Sequence, residues 1–107
     1  MKIIIMSSPK DQESVFIKER TDTKEPSLFK VLLHNDDYTS MEFVVSILEN
    51  IFNKSTIEAT RIMLNVHNEG IGVAGVYTQE ICETKIAVVH ELARNNSFPL
   101  RCSMEPA

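Results

Sequence analysis

Two helix-start signatures constrain the fold of this chain most, because they determine where its helices begin. Residues 39–42 (TSME) and 55–58 (STIE) both match the capping box, in which a hydroxyl and a glutamate three residues later satisfy free amide groups. After each signature, apolar residues recur at steps of three and four, which predicts one apolar stripe per helix. We expect the first helix to end near Asn53 and the second at Gly70.

Strand-like patterns flank these helices. In residues 28–34, one face carries Phe29, Val31 and Leu33, and the other carries Lys30, Leu32 and His34. Residues 73–77 are rich in valine and tyrosine, and residues 100–104 follow Pro99. Thr78 is placed to cap a third helix, which Asn95-Asn96 closes. The resulting order β-α-α-β-α-β predicts a small α/β sandwich, in which three helices cover one face of a three-stranded antiparallel sheet.

Length and polarity predict one folded domain with an extension. The 107 residues, 43% of them hydrophobic, can bury one modest core. Residues 7–26 are mostly charged or hydroxylated, and such a segment cannot bury enough apolar area to offset its ordering entropy. We therefore expect residues 1–26 to be a flexible N-terminal extension and residues 27–107 to be the folded domain.

Charge and cysteine content narrow the partners and the location. The net charge of -4 argues against binding to nucleic acid or to anionic lipid, and it favours a cationic partner. Cys82 and Cys102 lack metal-type spacing, which indicates reduced thiols in the cytoplasm. The apolar run at residues 1–6 is too short for export or membrane insertion, and a translation start at Met6 is an open alternative.

A polar cluster lies between the first strand and the first helix. Asn35, Asp36 and Asp37 occupy a position where loops display side chains to ligands, although asparagine and aspartate also favour turns for local reasons. A metal site that uses these aspartates with His34, His67 or His90 is a second interpretation, but the spacing supports it weakly. The chain has no glycine-flanked nucleophile and no phosphate-binding loop, so we predict a protein that is not an enzyme and needs no cofactor.

A second set of residues suggests the floor of a pocket. Met63, Val66 and His67 share one face of the second predicted helix, which joins an apolar patch to one imidazole. A buried packing histidine is the alternative interpretation of His67. Together, an acidic and amide cluster beside an apolar hollow suits an ammonium group attached to a bulky side chain. A free protein N-terminus provides both groups.

Three motifs follow one another along the chain: FKVLLHNDDYTSMEFV at residues 29–44, ATRIMLNVH at residues 59–67, and GVYT at residues 75–78 with ETK at residues 83–85. In this order and spacing they closely resemble the ClpS family, whose members are adaptors that recognise N-end-rule substrates for the ClpA–ClpP type of ATP-dependent protease. The resemblance covers roughly residues 27 to 105. It implies a non-catalytic adaptor for substrates that begin with Leu, Phe, Tyr or Trp.

The resemblance also implies roles for individual residues. Asn35, Asp36 and His67 would hold the α-amino group of the substrate, while Asp37 would shape the loop. The pocket for the first side chain would be lined by Thr39, Met41, Val44, Met63, Val66 and Leu100. Met41 would narrow the entrance against β-branched residues.

A second surface would bind the partner ATPase. The resemblance implies that Glu80 and Lys85 dock on the N-terminal domain of a ClpA-type ATPase, and that the extension helps delivery. Ser40 stands where the family often has proline, and Cys82 where it has a small aliphatic residue. The competing hypothesis from another class is a small metal-dependent hydrolase that uses Asp36, Asp37 and His67.

Overall fold

The computed structural model describes residues 26–107, which form three helices and three strands. The predicted extension, residues 1–26, lies outside the described residues apart from Pro26. The elements follow the order β1 (Leu28–His34), α1 (Met41–Asn50), α2 (Thr56–Glu69), β2 (Ile71–Thr78), α3 (Gln79–Asn95) and β3 (Arg101–Pro106). This order confirms the predicted β-α-α-β-α-β sandwich.

The three strands of residues 26–107 form one antiparallel sheet with β1 at its centre, in the order β2-β1-β3. Val31 and Leu33 of β1 are fully buried and belong to the hydrophobic core, which all three helices share. Val31 lies opposite Gly75 in β2, and Leu33 lies opposite Cys102 in β3. Side chains on one face of a strand recur every second residue, so this register places the core under the helices.

The helix starts follow the sequence prediction at one site and depart from it at another. The Ser55 hydroxyl accepts a hydrogen bond from the Glu58 N–H at 3.1 Å, as the capping signature predicts. For α1, however, the N-cap is Ser40, whose hydroxyl accepts from the Phe43 N–H at 3.1 Å. The predicted cap, Thr39, was wrong because its hydroxyl donates instead to the Asp36 carboxylate at 2.7 Å.

The helix ends are set by local backbone geometry. α1 stops at Asn50, short of the predicted end near Asn53, which has a positive φ of 56°. Gly70 ends α2 as predicted, with a φ of 90° in the left-handed region that favours glycine. The Gly70 carbonyl then accepts a hydrogen bond from the Asn35 N–H at 3.0 Å. This bond joins the start of β2 to the end of β1.

A histidine secures the third strand against α3. The Cys102 N–H, on the edge strand β3, donates to His90 Nε2 at 3.1 Å. Burial, together with nearby Cys82, raises the pKa of the Cys102 thiol to about 12. Both cysteines are free and buried, which fits structural thiols rather than reactive ones.

Candidate functional site

A cavity of about 420 Å³ opens where the loop after β1 meets the start of α1 and the end of α2. This volume lies in the range typical of small-molecule pockets. Three adjoining segments therefore contribute its walls. The lining residues are Asn35, Asp36, Asp37, Tyr38, Thr39, Ser40, Met41, Val44, Met63, Val66 and His67.

Asp36 organises the loop on one side of the cavity. One carboxylate oxygen accepts hydrogen bonds from the Tyr38 N–H at 2.8 Å and the Thr39 N–H at 2.7 Å, and the other accepts from the Thr39 hydroxyl at 2.7 Å. Burial alone would raise the pKa of Asp36, but these hydrogen bonds from Thr39 and Tyr38 outweigh it and lower the pKa overall. Asp36 is therefore a carboxylate at neutral pH, and its charge lies at the cavity wall.

Two other polar side chains at the cavity, those of Asn35 and His67, are available to a ligand. Asn35 and His67 are exposed, and within residues 26–107 neither side chain makes a hydrogen bond. The Asn35 backbone is held by the Gly70 carbonyl, three residues beyond His67. An amide oxygen, a carboxylate and an imidazole nitrogen thus border one opening, and all three can accept hydrogen bonds from a cation.

The inner wall of the cavity is apolar. Met63 and Val66 of α2 are buried, with 9% and 3% of their surfaces exposed, and Val44 of α1 is 7% exposed. Met41, in the first turn of α1, is 44% exposed and lies at the rim. The two helices therefore supply an apolar surface next to the polar groups of the loop.

The cavity brings together eight of the nine residues predicted to bind the substrate. Leu100 is the exception, because it is 5% exposed in the core and does not line the cavity. Its assignment stays a prediction. Tyr38 and Ser40 also line the cavity, although the sequence interpretation gave them no part in it. Tyr38 is 78% exposed, and its place in the polar loop after Asp37 is the signal that could have identified it.

The competing metal site finds no geometric support in the described part of the chain. Among residues 26–107, no group of three or more histidine, cysteine, aspartate or glutamate side chains is arranged to hold a metal ion. Asp36, Asp37 and His67 all line the cavity, yet Asp36 already accepts three hydrogen bonds from its own loop.

No helix in residues 26–107 has the length and apolarity needed to cross a membrane.

The two residues assigned to docking differ in what they contact. Glu80 is exposed in the first turn of α3. Lys85 Nζ instead donates to the Ile51 carbonyl at 2.6 Å, and it lies 5.1 Å and 5.7 Å from the ring centres of Tyr77 and Phe52. Because α1 has no basic residue in its own last turn, Lys85 supplies the cation at the negative end of that helix.

Comparison with known proteins assigns this architecture to a family. Residues 24–103 match the family model described as ATP-dependent Clp protease adaptor protein ClpS. The Clp protease adapter ClpS of Desulfatibacillum aliphaticivorans is 62% identical over 96 residues, which cover 90% of this chain and 92% of the relative. The ClpS of Desulfotalea psychrophila is 54% identical over 100 residues, which cover 94% and 98%.

A solved structure shares both the fold and part of the sequence. It is Agrobacterium tumefaciens ClpS2 bound to L-phenylalaninamide, which superimposes with a TM-score of 0.74 at 38% identity. The match covers 78% of this chain and all of the ClpS2 chain.

Proposed function

Because this chain belongs to the ClpS family of Clp protease adaptor proteins, we propose that it binds the first residue of N-degron substrates and delivers them to a Clp protease. The family consists of adaptors, so the chain is not an enzyme. The observation that carries the proposal is the cavity, in which hydrogen-bond acceptors border an apolar wall. Phenylalaninamide, the ligand of the ClpS2 relative, has the free α-amino group and bulky side chain that such a cavity suits.

In this proposal, the α-amino group is held by Asn35, Asp36 and His67. An ammonium group has three donors and no acceptor, and these residues present three acceptors at one opening. The Asp36 carboxylate contributes the charge, and hydrogen bonds to charged groups are roughly twice as strong as neutral ones. A blocked N-terminus lacks the positive charge and leaves these acceptors unpaired, which costs affinity.

The first side chain enters the apolar part of the cavity. Burying a Leu or Phe side chain contributes on the order of 1.5 to 3 kcal/mol, which is enough to select bulky first residues over small ones. Met41 at the rim disfavours branching close to the backbone, so Leu, Phe, Tyr and Trp are the expected first residues. The proposed pocket comprises Thr39, Met41, Val44, Met63 and Val66, which line the cavity. The family resemblance adds Leu100, a buried core residue that does not line the cavity.

The partner for delivery is the N-terminal domain of a ClpA-type ATPase. We assign the contact to the exposed Glu80 and to the segment of α3 that Lys85 holds in place. Residues 1–26 are assigned as an N-terminal extension that assists delivery, ahead of the adaptor domain at residues 27–107. A cytoplasmic location is proposed as well, since both cysteines are free thiols.

Peptide titration tests the proposal directly. Fluorescence anisotropy should show binding of a peptide that begins with Phe, and at least tenfold weaker binding of peptides identical except for an acetylated Phe or a first Met. The acetylated peptide is the matched control, because it keeps the side chain and removes only the charge and donors of the amine. Equal affinity for the free and acetylated forms would overturn the proposed site.

A further inference from the structure

The two edges of the sheet in the described part of the chain differ in how well they are protected. β3 is six residues long, contains charged residues and ends at Pro106. Its Cys102 N–H is already bound to His90. Short length, charged side chains and proline all hinder the pairing of an edge strand with another chain. β2 is longer, with eight residues, and its sequence IGVAGVYT contains no charged residue and no proline. The free edge of β2 is therefore the one that a further strand can join.

The free edge of β2 is apolar and borders a groove. Val73 and Val76 are 41% and 47% exposed, although both have large hydrophobic side chains. A groove of about 640 Å³ lies between β2 and α2, with Ile62 of α2 and Gly75 of β2 in its walls. A Cβ atom at Gly75 would collide with the Tyr77 ring, so this position has no side chain and its main chain is uncovered. Another strand can approach the main chain closely at such a position.

A bulge decides which part of this edge is continuous. The register between β1 and β2 skips Ala74, which has no partner in β1. Bulges bend a strand and interrupt regular pairing locally. The longer uninterrupted part of the free edge is therefore residues 75–78, at the end of β2.

The chain enters the fold beside this part of β2. Leu28, the first residue of β1, lies opposite Thr78, the last residue of β2. Pro26, Thr78 and Gln79 line one hollow of about 540 Å³. Residues 1–25 are therefore attached to the fold next to the free edge.

The sequence ahead of the fold contains one segment with the composition of a strand, which we name the VFI segment (residues 15–17). Its valine, phenylalanine and isoleucine are the only hydrophobic residues among residues 7–25, and all three types are enriched in strands. Eight residues separate the segment from Pro26, and an extended chain of that length reaches nearly 30 Å. A four-residue strand is only about 13 Å long. The VFI segment can therefore reach all of residues 75–78.

Covalent attachment favours this segment over other occupants. A short flexible linker gives an attached segment an effective concentration in the millimolar range, which exceeds that of a second copy in a dilute solution. Residues 3–5 are hydrophobic as well, but twenty residues separate them from Pro26, and a longer loop closes less favourably. We propose that the VFI segment pairs with the free edge of β2 at residues 75–78 of its own chain and adds a fourth strand to the sheet. No residue of β2 lines the cavity, so the inference does not depend on the proposed function.

Hydrogen exchange in the full chain tests the inference. NMR gives the exchange rates of the amides in residues 75–78 that β1 does not bind. The test variant is Val15→Asp with Ile17→Asp, because carboxylates oppose burial in a strand pair. If the VFI segment is paired about nine-tenths of the time, these amides exchange about tenfold more slowly in the wild type than in the variant. Both substitutions lie outside residues 26–107, so the folded domain keeps its own sequence.

The matched control is Ile3→Asp with Ile5→Asp. It adds the same charge and also removes two branched hydrophobic side chains, but at a greater distance along the chain from the fold. The control should keep the slow exchange of the wild type. Equal rates in all three proteins, or loss of the slow exchange in the control, would overturn the inference.

Dilution distinguishes the VFI segment from a second copy of the chain. Pairing within one molecule does not depend on protein concentration, so the slow exchange should persist over about tenfold dilution. Slow exchange that disappears on dilution would place a second copy at the edge and overturn the inference.

A variant of β2 itself tests the same contact from the other side. Val76→Lys places a charge at an exposed position of the free edge, where lysine hinders strand pairing. The remaining amides of residues 75–78 should then exchange about as fast as in the Val15 and Ile17 variant, while affinity for a Phe peptide stays unchanged. Slow exchange that survives Val76→Lys would contradict pairing at this edge.

Discussion

The cavity and the proposed docking surface, which we define as Glu80 and Lys85, differ in what their polar side chains contact. At the cavity, Asn35 and His67 are exposed, and neither side chain makes a hydrogen bond within residues 26–107. At the docking surface, the Lys85 ammonium is taken up by the Ile51 carbonyl and two aromatic rings. The Lys85 ammonium is therefore bound within its own chain, whereas the Asn35 and His67 side chains have no hydrogen-bond partner among the described residues.

The largest effect on peptide binding is expected at Asp36, which both shapes its loop and lines the cavity. Asp36→Ala should weaken binding of a Phe peptide by about 10- to 150-fold, because hydrogen bonds to a charged group are worth about 1.5 to 3 kcal/mol. Asp36→Asn, which keeps an acceptor for the loop amides and loses the charge, should weaken it about tenfold. Anisotropy measures both.

Asp37→Ala is the matched control for Asp36, since Asp37 also lines the cavity but makes no hydrogen bond within residues 26–107. It should change affinity by no more than about threefold. Comparable losses at both aspartates would mean that total charge, rather than the Asp36 carboxylate, holds the amine.

Met41 tests how the cavity selects the first side chain of a substrate. Met41→Ala should strengthen binding of peptides that begin with Ile or Val by about tenfold, because it opens the rim, while Phe peptides lose a few fold from the missing contact. The 44% exposure of Met41 predicts that the variant still folds. Val45→Ala, one turn further along α1, is the control. No gain for β-branched first residues would remove Met41 as the gate.

Variants of Lys85 test the proposed docking surface. Lys85→Ala should lower the free energy of unfolding by about 1 kcal/mol, because it removes one hydrogen bond and the aromatic contacts. It should also weaken binding to the N-terminal domain of a ClpA-type ATPase while leaving Phe peptide affinity unchanged. Urea denaturation and calorimetry provide these values. Glu80→Ala is the matched variant, and it should weaken docking with no loss of stability.

The smallest expected effect is the pH dependence that Asp36 gives to the free energy of unfolding. Its pKa in the folded protein lies below the ordinary 3.8, so its carboxylate stabilises the fold fully above pH 3.8. That contribution is lost as the pH falls through the lower, folded-state pKa. The stability difference between wild type and Asp36→Asn should therefore be constant from pH 7 to pH 5 and should shrink below pH 4. A difference that grows on acidification would contradict this assignment.

The fold could be predicted from sequence because its signals are local. Periodic apolar residues, the Ser55 cap and Gly70 at the end of α2 each act within a few positions of the chain. The cavity residues were also predictable, in part through the family resemblance. The α1 cap was not, because Thr39 and Ser40 are both good caps and the choice depends on Asp36 taking the Thr39 hydroxyl.

Contacts between distant residues could not be inferred in this way. The Lys85 ammonium reaches Ile51, 34 positions earlier in the chain, and this pairing follows only from how α3 lies beside the end of α1. The contacts of Leu100 could not be inferred from sequence for a similar reason. Its apolar character predicts burial correctly, but whether it contacts the core or the cavity depends on the position of the segment before β3.

The hydrogen bond between Cys102 and His90 also occupies a main-chain donor at the edge of the sheet. An unpaired edge strand presents main-chain groups with which another chain can pair. Because His90 occupies the Cys102 N–H at the start of β3, an incoming strand finds that donor already taken. The imidazole therefore leaves β3 with one main-chain donor fewer for the addition of another strand.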